Sequence, residues 1–360
     1  MKFVLELTIQ LLCWLPLVAT AQDLGKIWIE DQCLYVNIPE EGLLIFDNTD
    51  AYEPKEIGYL PIPENHEMAV ADGILYANHY EDLITIDIRA YLAGGGAQCA
   101  VVARMPGAFP KYRTTEQRIG VCNALPSSNA LLSPQGGSMS SMAFDDAQDP
   151  NYLYVVHDRS LLVFRIGEAR GSLQRVGDQV RVDDAVETIF AAGDQLYLGA
   201  QSGLHIFSIA QREKPVQVGR YVHVQSCDPV VVENGIAYVT LHDGSRCGRT
   251  VNELQIIDVS NPRSPRLLSR HSMEHPHGLG VDNKRVFLAD GNAGLKVFNA
   301  TTPGRLLPLM TDTAIHGAYD LILIPGVRRL ILVAGNQVIQ YAYNNITGSL
   351  TRLSEILVEY

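Results

Sequence analysis

His275-Pro276-His277 sets two imidazoles two residues apart, so in an extended chain both point to one side. The pair could ligate a metal or present two hydrogen-bonding rings to a polar ligand. With no third ligand placed beside it, the commoner reading is a turn entering a strand with one histidine hydrogen-bonded. Asp228 follows Cys227 and precedes an apolar run, while Arg246 and Arg249 flank Cys247. Carboxylate and imidazole together suit a divalent cation. Arginines suit a carboxylate or phosphate, and Lys111, Arg113 and Arg118 add the same sign in a stretch rich in Pro, Ser and Gly. The bland alternative is that these loop charges are solvated. There is no GxSxG, HExxH, GxGxxG or phosphate loop, no CxxC, and no base placed for Ser138, so the motifs of acyl transfer, zinc chemistry and nucleotide binding are missing.

These residues are positioned by a repeat. A seven-residue strand pattern recurs as GLLIFDN, DLITIDI, SLLVFRI, GLHIFSI, ELQIIDV, GLKVFNA and a degenerate QVIQYAY, each rich in β-branched or aromatic residues. A second pattern precedes each copy: CLYVN, ILYAN, YLYVV, QLYLG, IAYVT, RVFLA and RLILV. A third strand lies upstream, as in MAVADG, VVVENG and GLGVDN, closing on the Asp-Gly or Asn-Gly type of tight turn. A fourth follows, often opened by Pro as in PKEIGYL, PVQVGRY and PRLLSRH, which fits an edge strand that needs no ladder donor there. Four antiparallel strands repeating about every 40 to 50 residues predict an all-β propeller of about seven blades, with six or eight open. The stretch 109–137 holds no copy and reads as a loop insertion in a single domain spanning 22–360.

Aligning the blades puts His66, Ser138, Glu187, Asp228, His277 and, with one extra residue, Asp320 near the mouth of the central channel; the remaining blade offers Gly25. A water-filled channel that merely tolerates polar side chains is the bland reading, and a polar ring that binds a cation or a saccharide is the sharp one. The insertion and the long connection from Leu241 to Asn252 fall on the same face by strand order. Cys227 and Cys247 lie at one end of one sheet, and a bridge closing a loop of about 20 residues could stabilise the fold by roughly 3 kcal/mol. Cys99 would pair with Cys122, leaving Cys33 over.

Residues 1–21 read as a secretory signal, with Lys2, an apolar run through Leu17, and Ala19-Thr20-Ala21 at the cleavage positions. Glu6 and Gln10 interrupt the run and disfavour a membrane anchor, and Gln10 and Leu12 disfavour lipidation at Cys13. No later segment is long and apolar enough to span a bilayer. The expectation is therefore an exported protein, periplasmic, outer-surface or extracellular, in a compartment that permits disulfides. A formal charge of −12 repels phosphate backbones and argues against nucleic acid. The sequons at Asn299 and Asn345 would matter only in a eukaryotic secretory pathway.

The GLHIFSI and ELQIIDVSNP type of repeat resembles the LVIVD repeat of bacterial and archaeal surface proteins. SCDPVVVENGIAYVTLHDGSRCG and HPHGLGVDNKRVFLADGNAGLKVF are similar to secreted LVIVD proteins of Bacteroidetes. The resemblance implies a propeller and an extracellular place, without an established activity. The leading expectation is a monomeric binding module for a surface glycan, small polar ligand or protein partner. Its channel-mouth face would carry His66, Glu187, Asp228, Arg246, Arg249, His277 and Asp320. A carbohydrate- or lactone-directed hydrolase or lyase, metal-assisted or not, is the alternative.

Overall fold

The computed structural model describes residues 23–95, 100–109, 135–136, 140–146, 149–223, 229–242, 251–302 and 304–359. Its strands are β1 (Ile27–Glu30), β2 (Cys33–Ile38), β3 (Gly42–Asp47), β4 (Lys55–Pro61), β5 (Met68–Ala71), β6 (Ile74–His79), β7 (Asp82–Asp87), β8 (Val101–Met105), β9 (Gln135–Gly136), β10 (Met142–Phe144), β11 (Tyr152–Ile166), β12 (Leu173–Ala192), β13 (Gln195–Ala200) and β14 (Gly203–Ser208). They continue as β15 (Val216–Val222), β16 (Val230–Glu233), β17 (Ile236–Leu241), β18 (Glu253–Asp258), β19 (Arg266–Ser272), β20 (Leu279–Asp282), β21 (Arg285–Ala289), β22 (Leu295–Asn299), β23 (Leu307–Asp312), β24 (Ala318–Ile324), β25 (Arg329–Ala334), β26 (Gln337–Tyr343) and β27 (Leu350–Leu357).

Hydrogen bonding gathers these into six antiparallel sheets: β1–β4 with β9 beside β1, then β5–β8, β10–β15, β16–β19, β20–β23 and β24–β27. The fold is an all-β propeller. The sheet β10–β15 holds two repeat copies, because β11 doubles back on itself: Ile166 N donates to Asn151 O at 2.9 Å and Asp158 turns at φ 51°. β12 then pairs with β11 through its first half and with β13 through its second. Six sheets thus carry the seven copies, within the expected range of six to eight. Around the axis the neighbours run β1, β5, β10, the end of β12, β16, β20, β24 and back to β1.

Second and third strands are buried on both faces, as in Leu34-Tyr35-Val36 and Leu43-Leu44-Ile45, because each sheet is covered by a neighbour on either side. Outer strands such as β4 and β15 are mostly exposed. One bulge recurs between third and fourth strands, at Ile45/Phe46, Thr85/Ile86, Ile206/Phe207, Ile256/Ile257, Val297/Phe298 and Gln340/Tyr341. Bulges strengthen twist, which keeps consecutive blades alike in shape. The polar residue closing the third strand turns the chain into the outer strand. Asp47, Asp258 and Asn299 each accept from the backbone N–H two residues on, at 2.9, 3.1 and 2.9 Å, which makes an Asx turn.

Ring closure joins the first and last sheets. Ile27, Ile29 and Val36 share one apolar cluster with Ile322, Val333 and Val338. Beside it, buried Asn48 and Gln340 exchange two amide hydrogen bonds at 3.0 and 2.8 Å.

Phe109, read from sequence as the start of the insertion, ends the second sheet instead: it is fully buried and its N–H donates to Glu81 O at 2.7 Å. At the other end of that stretch, Gln135 and Gly136 pair with Ile29 and Trp28 along the inner edge of β1, so these two residues are strand rather than loop. No helix is long and apolar enough to cross a membrane among the described residues.

Candidate functional site

The residues ahead of the inner strands surround the channel mouth, and on two of its sides they are held by the end of a second strand. In the second sheet, Asn78 at the end of β6 accepts from the N–H groups of His66 and Glu67 at 2.8 and 2.7 Å. In the β20–β23 sheet, Asp290 just past β21 accepts from Glu274 N and His275 N, the latter at 2.7 Å, and forms a salt bridge with Lys296. Asp290 is fully buried, so Lys296 offsets its charge.

On the Asp290 side the mouth opens into a pocket of about 650 Å³, lined by Asp23, Gly25, Glu274, His275, His277, Asn292 and Tyr319 among others. Part of its wall is bare backbone. Gly291 turns at φ 53°, and a Cβ there would stand 3.0 Å from that of His275, so only glycine lets the two segments approach. Gly291 and Ala318 bridge through reciprocal bonds at 3.1 and 3.0 Å, and Asn292 accepts from Gly317 N at 3.1 Å.

His242, His275 and His277 form a ring cluster, with centroids 4.5 Å apart for His242–His277, 4.6 Å for His275–His277 and 5.5 Å for His242–His275; Tyr319 lies 5.3 Å from His277. Thr240 Oγ1 donates to His277 O at 2.8 Å, and His277 N to Ala289 O at 2.8 Å, so the backbone under the cluster is fixed. Burial, aggravated by the other two imidazoles, pushes the His277 pKa down to about 3. Burial raises the Tyr319 hydroxyl, helped by Asp320, Glu67 and Glu187, so both rings face the pocket neutral at ordinary pH. The histidines meet edge to face or tilted, and no group of three or more His, Cys, Asp and Glu among the described residues is arranged to hold a metal ion.

Of the sequence candidates, His277 lines the pocket and Gly25 stands beside it. Glu187 is half-buried, accepts from Gln201 Nε2 at 3.5 Å and acts on Tyr319 across the mouth. For His66 and Asp320 the adjacent residue takes the mouth position. Glu67 pairs with Lys26 of the first sheet and accepts from Ser141 N at 3.4 Å, whereas His66 is tied through its backbone to Asn78. Tyr319 lines the pocket, while Asp320 is fully buried against Gly278, where a Cβ would meet its Oδ1 at 2.4 Å. The ladder skips at Tyr319 and likewise at Glu187, so both are bulge residues, and a bulge re-aims one side chain out of the alternation.

Asp228, Arg246, Arg249, Ser138, Lys111, Arg113, Arg118, and the pairs Cys227–Cys247 and Cys99–Cys122 lie outside the described residues. Cys33 is a free, half-buried thiol whose pKa burial raises. Glu274, His242, Tyr319 and Asp290 were not singled out by repeat alignment. Asp290 alone left a signal, a carboxylate directly after RVFLA, one place beyond the position that Asn78 takes in ILYAN.

The LVIVD repeat family matches residues 248–272, which include β18, its closing Asp258 turn and β19. This chain is a β-propeller that carries an LVIVD repeat. No curated protein sequence matches it. Among solved structures, the LVIVD propeller is similar to a candidate 6-phosphogluconolactonase from Bacteroides uniformis, with 11% identity and a TM-score of 0.62 over 94% of this chain and 98% of that one. A second, from Bacteroides fragilis, has 12% identity and a TM-score of 0.57 over 95% and 99%. A protein from Lactobacillus plantarum has 13% identity and a TM-score of 0.61 over 93% and 100%. At such identities the likeness is one of fold.

Proposed function

We propose that this LVIVD propeller is an exported binding module whose channel-mouth pocket holds a neutral, polyhydroxylated ligand such as the end of a glycan. The observation that carries this is the pocket of about 650 Å³ in which two neutral aromatic surfaces, His277 and Tyr319, stand beside the carboxylates Glu274 and Asp23 and the amide Asn292. Ring faces pack on the apolar side of a sugar, while carboxylates and amides take its hydroxyl protons. Loops on a rigid scaffold are where binding residues concentrate, and the Asp290 cap pre-orders this one, lowering the entropic cost of binding.

Hydrolysis of a lactone is the competing reading, favoured by the likeness in fold to the two candidate 6-phosphogluconolactonases. A general base works best with a pKa near the operating pH, and His277, depressed to about 3, is poorly matched to that role. The test is an array of neutral glycans probed with the purified chain. Neutral glycans should be retained, and Tyr319→Phe with His277→Ala should weaken retention at least tenfold in a folded protein. Retention that survives both substitutions, or turnover of a δ-lactone abolished by His275→Ala, overturns the binding reading.

A further inference from the structure

The mouth pocket takes its walls from three sheets that follow one another around the axis, β20–β23, β24–β27 and the sheet of β1–β4. Glu274 comes from the first of these and Asp23 from the last, and both are exposed. Tyr319 belongs to the sheet between them. The two carboxylates are held from behind. Glu274 N donates to both carboxylate oxygens of Asp290, at 3.1 and 3.2 Å. Next to Asp23, Leu24 N donates to Gly335 O at 2.9 Å, and a Cβ on Gly335 would stand 3.8 Å from Asp23 Oδ1. The Asp23 carboxylate therefore lies over bare backbone.

No lysine or arginine is among the described residues that line this pocket. Lys26 and Lys296, at the mouth, are already engaged by Glu67 and Asp290. Burial raises the Tyr319 hydroxyl, and Asp320, Glu67 and Glu187 raise it further, so the field at this ring is negative. An anionic ligand is repelled by such a wall. A bare metal ion finds no group of three or more His, Cys, Asp and Glu arranged to hold it among the described residues.

A protonated primary amine meets each of these conditions. It donates three hydrogen bonds, and the acceptors at hand are Asp23, Glu274 and the Asn292 side-chain oxygen, which keeps a lone pair beyond the one that takes Gly317 N. Charge-assisted bonds to carboxylates are stronger than those from a hydroxyl, and a ring face such as that of Tyr319 attracts an ammonium further. We propose that the sugar held at the mouth is an amino sugar, whose ammonium group sits between Asp23 and Glu274. This rests on the glycan reading of the same pocket and names the substituent that the pocket takes best.

The test compares two trisaccharides that differ only in hydroxyl against ammonium, cellotriose and the β-1,4 glucosamine trimer. Both are titrated calorimetrically into the full chain at pH 6.5, where the amine is largely protonated and His277, lowered by burial to about 3, stays neutral. The glucosamine trimer should bind at least fivefold more tightly. Asp23→Asn combined with Glu274→Gln, both on exposed side chains, should bring it within twofold of cellotriose and leave cellotriose unchanged. Equal affinities in the parent, or an advantage of the amine that survives the double substitution, overturn the proposal while the glycan reading stands. Absence of binding by the glucosamine trimer also overturns it, and the array of neutral glycans then decides the glycan reading separately.

Discussion

Two sides of the channel mouth fix their backbone in the same way but with different chemistry. On the β5–β8 side the neutral Asn78 holds His66 and Glu67, and Glu67 goes on to close the opening by pairing with Lys26. On the β20–β23 side the carboxylate Asp290 holds Glu274 and His275, its charge is met from behind by Lys296, and the side chains in front stay open to the pocket. On the open side, then, the cap carries the structural charge rather than the loop it holds. The pocket can therefore present neutral rings.

The largest effect should come from Asp290→Ala, which strands Lys296 and two backbone donors. Removing one partner of a buried pair costs about 3 kcal/mol, measured by denaturant titration, and the mouth pocket should lose its ligand. A loss below about 1 kcal/mol would mean that the cap is not structural. Asn78→Ala should cost less, about 2 kcal/mol, because only neutral groups lose their partners. Equal losses at the two sites would erase the distinction between them. Asp290→Asn makes the open side chemically like the closed one. It keeps an acceptor for His275 N and gives up only the charge-assisted bond to Lys296, so about 1 kcal/mol is expected with glycan retention intact.

The smallest effect is in pH. His277 titrates near 3 in the folded protein and near 6.5 when unfolded, so between those values the unfolded chain binds the extra proton. Its contribution to stability is complete above about 6.5 and declines as pH falls toward 3. His277→Gln should therefore lose less stability than the parent between pH 7 and pH 5 in parallel urea titrations. Glu30, at the far end of β1 and accepting from Gly73 N at 2.8 Å, behaves oppositely: burial raises it from 4.5 to about 7. Its contribution is complete below 4.5 and is lost as pH rises through 7, so Glu30→Gln should gain on the parent at pH 8 and match it at pH 4. Parallel pH profiles for either variant and the parent would remove that residue from the account.

From sequence alone, the strands were legible because each short run is closed by its own turn chemistry: GLLIFD, DLITID, GLHIFS and ELQIID all became third strands, and PKEIGYL, PVQVGRY and PRLLSRH the exposed outer ones. The face was legible too, since antiparallel order alone puts Gly25 and His277 at the same mouth. Tertiary structure decided which side chain faces inward. Bulges at Glu187 and Tyr319 break the alternation that alignment assumes, so Tyr319 and not Asp320 meets the pocket. It also decided the joining of two repeats in one sheet and the meeting of His242 with His275 and His277, because each depends on neighbours that are close in space and distant along the chain.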